Sequence, residues 1–153
     1  MILSSPPTEL VIEREFQAPA RLVFEAWTKA EHMAHWLCPE GFTVLFVESD
    51  PVVGGLWRSG MRSPEGVEYV MKGVFRELSE FDRLVLTHVW EDDMGDGQAP
   101  GHETIMTIDL IESGDRTKMR FHQSVFKTVE ARDGHGGGWT GAFNNLARFF
   151  EER

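Results

Sequence analysis

The side chains best suited to chemistry in this chain are six histidines and a single cysteine. His32, His35 and Cys38 follow one another three residues apart, a spacing that can bring two imidazoles and a thiolate to one side of a short helix. Zinc accepts those donors, but structural sites take four ligands and catalytic sites usually three. No CxxC or HExxH motif supports such a site, and the neighbouring Trp36 and Leu37 read as ordinary packing, so no metal is expected. His88 shares one face of its strand, by alternation, with Leu84, Leu86 and Trp90. An apolar interior on that side would hold a group able to donate and accept a hydrogen bond at once. Tyr69, the one phenol of the chain, is the second candidate polar anchor. His122 alternates with Arg120 and Ser124, opposite Met119, Phe121 and Gln123. Glu103, Asp109, His88 and His122 lie on different strands, and spacing alone assembles no acid–base pair from them. Nucleophile elbow, Walker loop and dinucleotide fingerprint are all absent from the sequence, so no cofactor is expected. Gly136, Gly137 and Gly138 read as a hinge into a helix rather than a phosphate cradle, because no lysine or Ser/Thr follows in phosphate-loop spacing.

The elements that would position these groups follow from periodicity. Residues 138–153 form an amphipathic helix whose Trp139, Phe143, Leu146 and Phe150 recur at helical spacing beside Ala142 and Ala147. Its aromatic face needs a large apolar receiver. Leu10, Ile12 and Phe16 mark one side of a first strand, and Pro19 then opens a helix with Leu22, Val23, Ala26, Trp27 and Ala30 on one face. A second short helix is expected over 29–37, closed at Cys38 and Pro39. From Phe42 the period changes to two, giving strands over 42–49, 56–62, 68–78, 83–90, 103–112 and 116–124. Tyr69, Met71, Gly73 and Phe75 share a face, and Gly73 implies a bulge, a bend or the close approach of another element, with a plain bend preferred. Residues 91–101, rich in acids and glycine, read as a mobile loop. Residues 1–8 are expected to be a loose leader and 9–152 a single domain. The fold class is α+β, a curved antiparallel sheet wrapped around a long C-terminal helix with two short helices near the N-terminus.

Charge narrows the function. With 25 acidic against 15 basic residues the net charge is -10, which argues against a nucleic-acid partner and against adhesion to anionic membranes. No stretch approaches the ~20 apolar residues of a membrane span, so membrane insertion is not expected. The lone Cys38 allows no intramolecular disulfide, and a reducing cytoplasm is the expected compartment.

Four segments carry a family resemblance: APARLVFEAWTKAEHMAHWLCPEGF, DPVVGGLWR, PEGVEYVMKGVFRELSEFDRLVLTHVW and GGWTGAFNNLARFF. Together they span nearly all of residues 9–151, and the GG-x-W-R turn and the GW-opened final helix are the more specific signals. The chain resembles the Activator of Hsp90 ATPase homologue 1-like domain, within the START/Bet v 1-like helix-grip superfamily. The resemblance implies six or seven antiparallel strands curved around the C-terminal helix, closed at one end by two short helices. It also implies an apolar cavity between sheet and helix, in which some members bind lipids, polyketides or plant hormones and others act as cyclases. Carried onto this sequence, the implied wall comprises Trp57, Met61, Tyr69, Met71, Phe75, His88, Trp90, Met119, Phe121, Trp139 and Phe143. Eukaryotic co-chaperones of this name carry a further N-terminal domain with an Asn-Trp-His-Trp segment that this sequence lacks, so stimulation of Hsp90 is not expected.

The leading expectation is therefore a domain that binds a small apolar or amphipathic molecule, with His88 and Tyr69 as polar anchors. Two alternatives stand beside it: an enzyme of the cyclase, dehydratase or hydrolase type using the same cavity, and an interaction domain that forms a homodimer or serves a chaperone.

Overall fold

A computed structural model describes residues 1–152; Arg153, where the expected terminal helix ended, lies outside the described residues. The elements in chain order are β1 (Ile2–Leu3), β2 (Leu10–Phe16), α1 (Ala20–Thr28), α2 (Ala30–Met33), β3 (Thr43–Ser49), β4 (Leu56–Arg62), β5 (Glu68–Ser79), β6 (Arg83–Trp90), β7 (Thr104–Ser113), β8 (Arg116–Ser124) and α3 (Val129–Glu151). All strands join one antiparallel sheet in the order β1-β2-β8-β7-β6-β5-β4-β3, and α3 is gripped by it. Ile2 and Leu3, expected in a loose leader, pair with Ile12 and Val11 and add an eighth, two-residue strand at one edge.

Three departures from expectation bear on the interior. The first is Gly73, which faces Trp57 across the β4–β5 ladder. A Cβ at Gly73 would overlap both the Thr87 carbonyl and the Trp57 indole nitrogen. The indole N–H donates to that carbonyl at 3.0 Å, while the amide of Val74 donates to the Thr87 hydroxyl at 2.9 Å. The close approach of a tryptophan, rather than a plain bend, therefore explains the glycine.

The second concerns α3, which begins nine residues' worth of helix earlier than the hydrophobic pattern announces, at Val129 rather than 138. Thr128 is its N-cap: the hydroxyl accepts the Ala131 amide at 3.0 Å and donates to the Asp96 carbonyl at 2.7 Å. The glycines expected to form a hinge lie inside the helix, where each costs about 0.5–1 kcal/mol relative to alanine. Packing offsets that cost. A Cβ on Gly136 would sit 3.3 Å from Leu10, and one on Gly141 only 2.7 Å from the Glu40 amide nitrogen, so those two glycines let β2 and the 39–40 turn lie against the helix.

The third is the acidic loop. The stretch 91–101, expected to be mobile, is docked: buried Gln98 accepts the Lys127 amide at 3.0 Å, and Asp92 accepts the Val70 amide at 2.8 Å. Of the second short helix expected over 29–37, only Ala30–Met33 is α-helical, and turns carry the chain onward. His32 and His35 pack against Phe149, His35 stacking at 4.9 Å between ring centroids.

Beneath the C-terminal half of α3 the interior is solid. Trp27 of α1 lies at its centre, with ring centroids 4.9 Å from Trp36, 6.0 Å from Phe121, 5.8 Å from Trp139 and 6.1 Å from Phe143. Its indole N–H points to the Met119 sulfur at 3.4 Å, and Trp36 donates to the Ala26 carbonyl at 3.0 Å, so both buried indoles are satisfied.

Candidate functional site

At the other end of α3 the packing opens. A cavity of about 280 Å³ lies between the inner face of β4, β5 and β6, the first half of α3 and the turn over 37–42, with Met94 and Asp96 at its mouth. The volume falls just below the ~300–1,000 Å³ of small-molecule sites, which suits a small ligand. Helical spacing makes the room. Ala131, Gly134, His135, Gly138 and Ala142 present their small or flat surfaces to the cavity, and a Cβ on Gly134 would meet nothing within 4 Å.

Of the residues expected in the wall, Met61, Tyr69, Met71, His88, Trp90 and Trp139 do line this cavity. Trp57, Phe75, Met119, Phe121 and Phe143 do not; each is 1% exposed or less and belongs to the solid core. Alternation fixes which side of the sheet a residue faces but not where along the helix axis it lies, and Trp27 fills the region under Met119, Phe121 and Phe143. Trp57 is diverted across Gly73. The sequence reading missed Cys38, Pro39, Phe42 and Met94, together with the polar lining residues Asp96, Glu130 and His135. A signal for His135 existed: Ala131, His135, Trp139 and Ala142 continue the helical period upstream through the glycines.

A closed hydrogen-bond network backs the cavity. Trp90 donates its indole N–H to Nε2 of His135 at 2.9 Å. An indole nitrogen only donates, so Nε2 is the acceptor and the neutral imidazole carries its proton on Nδ1. Nδ1 then donates to Oε1 of Gln123 at 3.2 Å, an oxygen that also accepts the Trp139 indole N–H at 2.9 Å. The Gln123 amide nitrogen donates to the Thr104 hydroxyl at 2.9 Å, which in turn donates to the carbonyl of His88 at 3.3 Å. Burial pushes the pKa of His135 down to about 4, partly opposed by the Asp96 carboxylate, so the imidazole is neutral at pH 7.

His88 stands beside this network, its ring centroid 4.9 Å from that of His135 and 5.0 Å from that of Trp90. Burial first, then the neighbouring His135, holds its pKa well below the usual imidazole range. Its Nε2 is buried and has no hydrogen-bond partner among the described residues. A neutral imidazole donates or accepts according to its tautomer, so Nε2 can serve in either sense. Burial also raises the Cys38 thiol to about 11, so this wall residue is an inert thiol at neutral pH. The charged side chains of the wall are Asp96 and Glu130, and no Lys or Arg lines it among the described residues.

Taken together, a curved antiparallel sheet closed on a C-terminal helix, with a cavity between them, defines the helix-grip class of α+β protein. Residues 17–151 match the family described as Activator of Hsp90 ATPase homolog 1-like protein, and the chain belongs to that family. Solved structures share its fold across nearly the whole length. A Chromobacterium violaceum protein is 25% identical with a TM-score of 0.81, covering 94% of this chain and 96% of its own. A Rhodobacter sphaeroides protein is 22% identical with a TM-score of 0.81, covering 99% and 98%. An Arthrobacter aurescens protein, solved in solution, is 21% identical with a TM-score of 0.84, covering 100% and 92%. No curated protein matches the sequence. No helix among the described residues is long and apolar enough to cross a membrane.

Proposed function

We propose that this protein binds a small apolar or amphipathic molecule in the cavity between its sheet and α3. The observation that carries the reading is an aromatic chamber whose wall includes His88, a buried imidazole with its Nε2 unpartnered. An unsatisfied buried polar atom costs roughly 1–3 kcal/mol, and a ligand that reaches it removes that cost on binding. The walls supply the remainder: burying about 150 Å² of apolar ligand surface contributes on the order of 4 kcal/mol. Acid–base turnover would need a second free group beside His88. The nearest imidazole, His135, has both nitrogens engaged by Trp90 and Gln123, so binding is the better-supported reading.

Two measurements test it. Native mass spectrometry of freshly purified protein, followed by solvent extraction, should reveal a retained metabolite. Calorimetric titration with tryptophol, a neutral indole of suitable size, should show saturable one-to-one binding. A protein that carries nothing and takes up neither tryptophol nor its charged analogues would sink the proposal.

A further inference from the structure

Resting on that reading, the geometry points to a ligand that donates hydrogen bonds and carries positive charge: an aromatic or alkyl amine protonated at neutral pH, its apolar body in the chamber and its ammonium at the mouth beside Asp96 and Glu130.

The inference comes from what the polar groups around the cavity still have to offer. The indole donors are engaged inside the protein: Trp90 to His135, Trp139 to Gln123 and Trp57 to the Thr87 carbonyl. Both nitrogens of the Gln123–His135 pair that could have donated to a ligand are likewise engaged, to Thr104 and to Gln123 itself. What remains is acceptors. The carboxylates of Asp96 and Glu130 lie in the wall with no lysine or arginine among the lining residues to neutralise them. Tyr69 and Nε2 of His88 are the exceptions, since a phenol or an imidazole of unfixed tautomer serves in either sense.

An anionic ligand would therefore enter a low-dielectric chamber with neither a cation nor a free indole donor to receive it, and with two carboxylates at the mouth repelling it. An ammonium meets the opposite situation. The carboxylates attract it, and the faces of Trp90 and Tyr69, whose ring centroids are 6.3 Å apart at 71°, add cation–π attraction. The field at the mouth extends inward, because the Asp96 carboxylate already acts on the buried His135. Each carboxylate also has a local role: Asp96 accepts the Gln98 amide at 3.0 Å, and Glu130 occupies the first turn of α3. Neither role neutralises the charge.

The test uses three ligands with one ring and different charge: tryptamine, tryptophol and indolepropionate, titrated calorimetrically into the full chain at low ionic strength. Tryptamine should bind roughly ten-fold or more tightly than indolepropionate, with tryptophol between them, and the gap should narrow as salt is added. The double variant Asp96→Asn, Glu130→Gln keeps the shapes and the Asx hydrogen bond while removing both charges. It should bring tryptamine and indolepropionate to within about three-fold of each other. Tryptophol binding with no preference for tryptamine, or with a preference for indolepropionate, overturns the charge inference and leaves the binding site standing. Failure of all three ligands overturns the site itself and the inference with it. If the double variant melts early, Glu130→Gln alone should still reduce the preference in part; an unchanged preference counts against the inference.

Discussion

The indole N–H of Trp90 ends β6 on Nε2 of His135, 2.9 Å away on α3, and this bond ties sheet to helix across the back of the cavity. It forms only with the neutral imidazole. Because the folded pKa of His135 is depressed from 6.5 to about 4, the unfolded chain binds more protons than the folded one between those values. Stability contributed by this residue is thus fully present above about pH 6.5 and is lost as pH falls toward 4, by on the order of 3 kcal/mol over the window. His88 is shifted in the same direction and deepens the loss. Urea melts at intervals from pH 7.5 to 4.5 should show the midpoint falling, and a flat profile would refute the buried-neutral assignment. His135→Leu should cost about 1–3 kcal/mol at pH 7, by leaving the buried indole N–H of Trp90 without its acceptor, and should flatten part of the slope.

Gly73 and Trp57 make a second pair that can be broken from either side. Gly73→Ala places a Cβ on the Thr87 carbonyl and the indole nitrogen, both fixed by packing, so a loss above about 2 kcal/mol is expected. Trp57→Phe keeps much of the ring but removes the N–H that satisfies Thr87, and about 1–3 kcal/mol should go with it. Denaturant midpoints read both. If Gly73→Ala proved neutral, the close approach of the indole would not be the reason for the glycine.

The glycines of α3 differ in what surrounds them, and alanine should sort them. At Gly134 a Cβ meets nothing within 4 Å, so Gly134→Ala should gain about 0.5–1 kcal/mol from helix propensity alone. At Gly141 a Cβ comes within 2.7 Å of the Glu40 backbone nitrogen, and Gly141→Ala should destabilise by more than that gain. Thermal melts of the two variants should move in opposite directions.

These contrasts also show what the sequence displayed and what it hid. Period-two alternation located every long strand, and the Trp139, Phe143, Leu146 spacing located the gripping helix, because burial on one face writes itself directly into the pattern. The order of elements, with its four family-like segments, then constrained the fold. The first half of α3 was hidden because its inward face is made of Ala131, Gly134 and Gly138: a helix that borders empty space carries no hydrophobic stripe there. His135 lies on the helical period through Ala131 and Trp139, but that period crosses glycines read as a hinge. Its partners Trp90 and Gln123 come from distant strands, and no local spacing joins them. Depth was the other blind quantity. Met71 and Phe75 share one strand face, yet only Met71 reaches the cavity, while Phe75 is wholly buried in the core.

That hidden stripe offers a way to close the cavity without touching its polar groups. Gly138 lines the chamber, and a Cβ there would lie 3.6 Å from the Pro39 ring, an ordinary contact. In Gly138→Leu the first carbon is accommodated, and the branched remainder has the cavity as its nearest open space. Helix propensity should rise, so the variant is expected to melt at or above the temperature of the parent. Its volume should displace an indole-sized ligand, and tryptophol affinity should fall by roughly ten-fold or more for the loss of about 1.4 kcal/mol or greater. Gly134→Ala, which adds one methyl group at the mouth, provides the matched control and should bind nearly as well as the parent. Full tryptophol binding by a folded Gly138→Leu protein would place the ligand elsewhere than between sheet and helix.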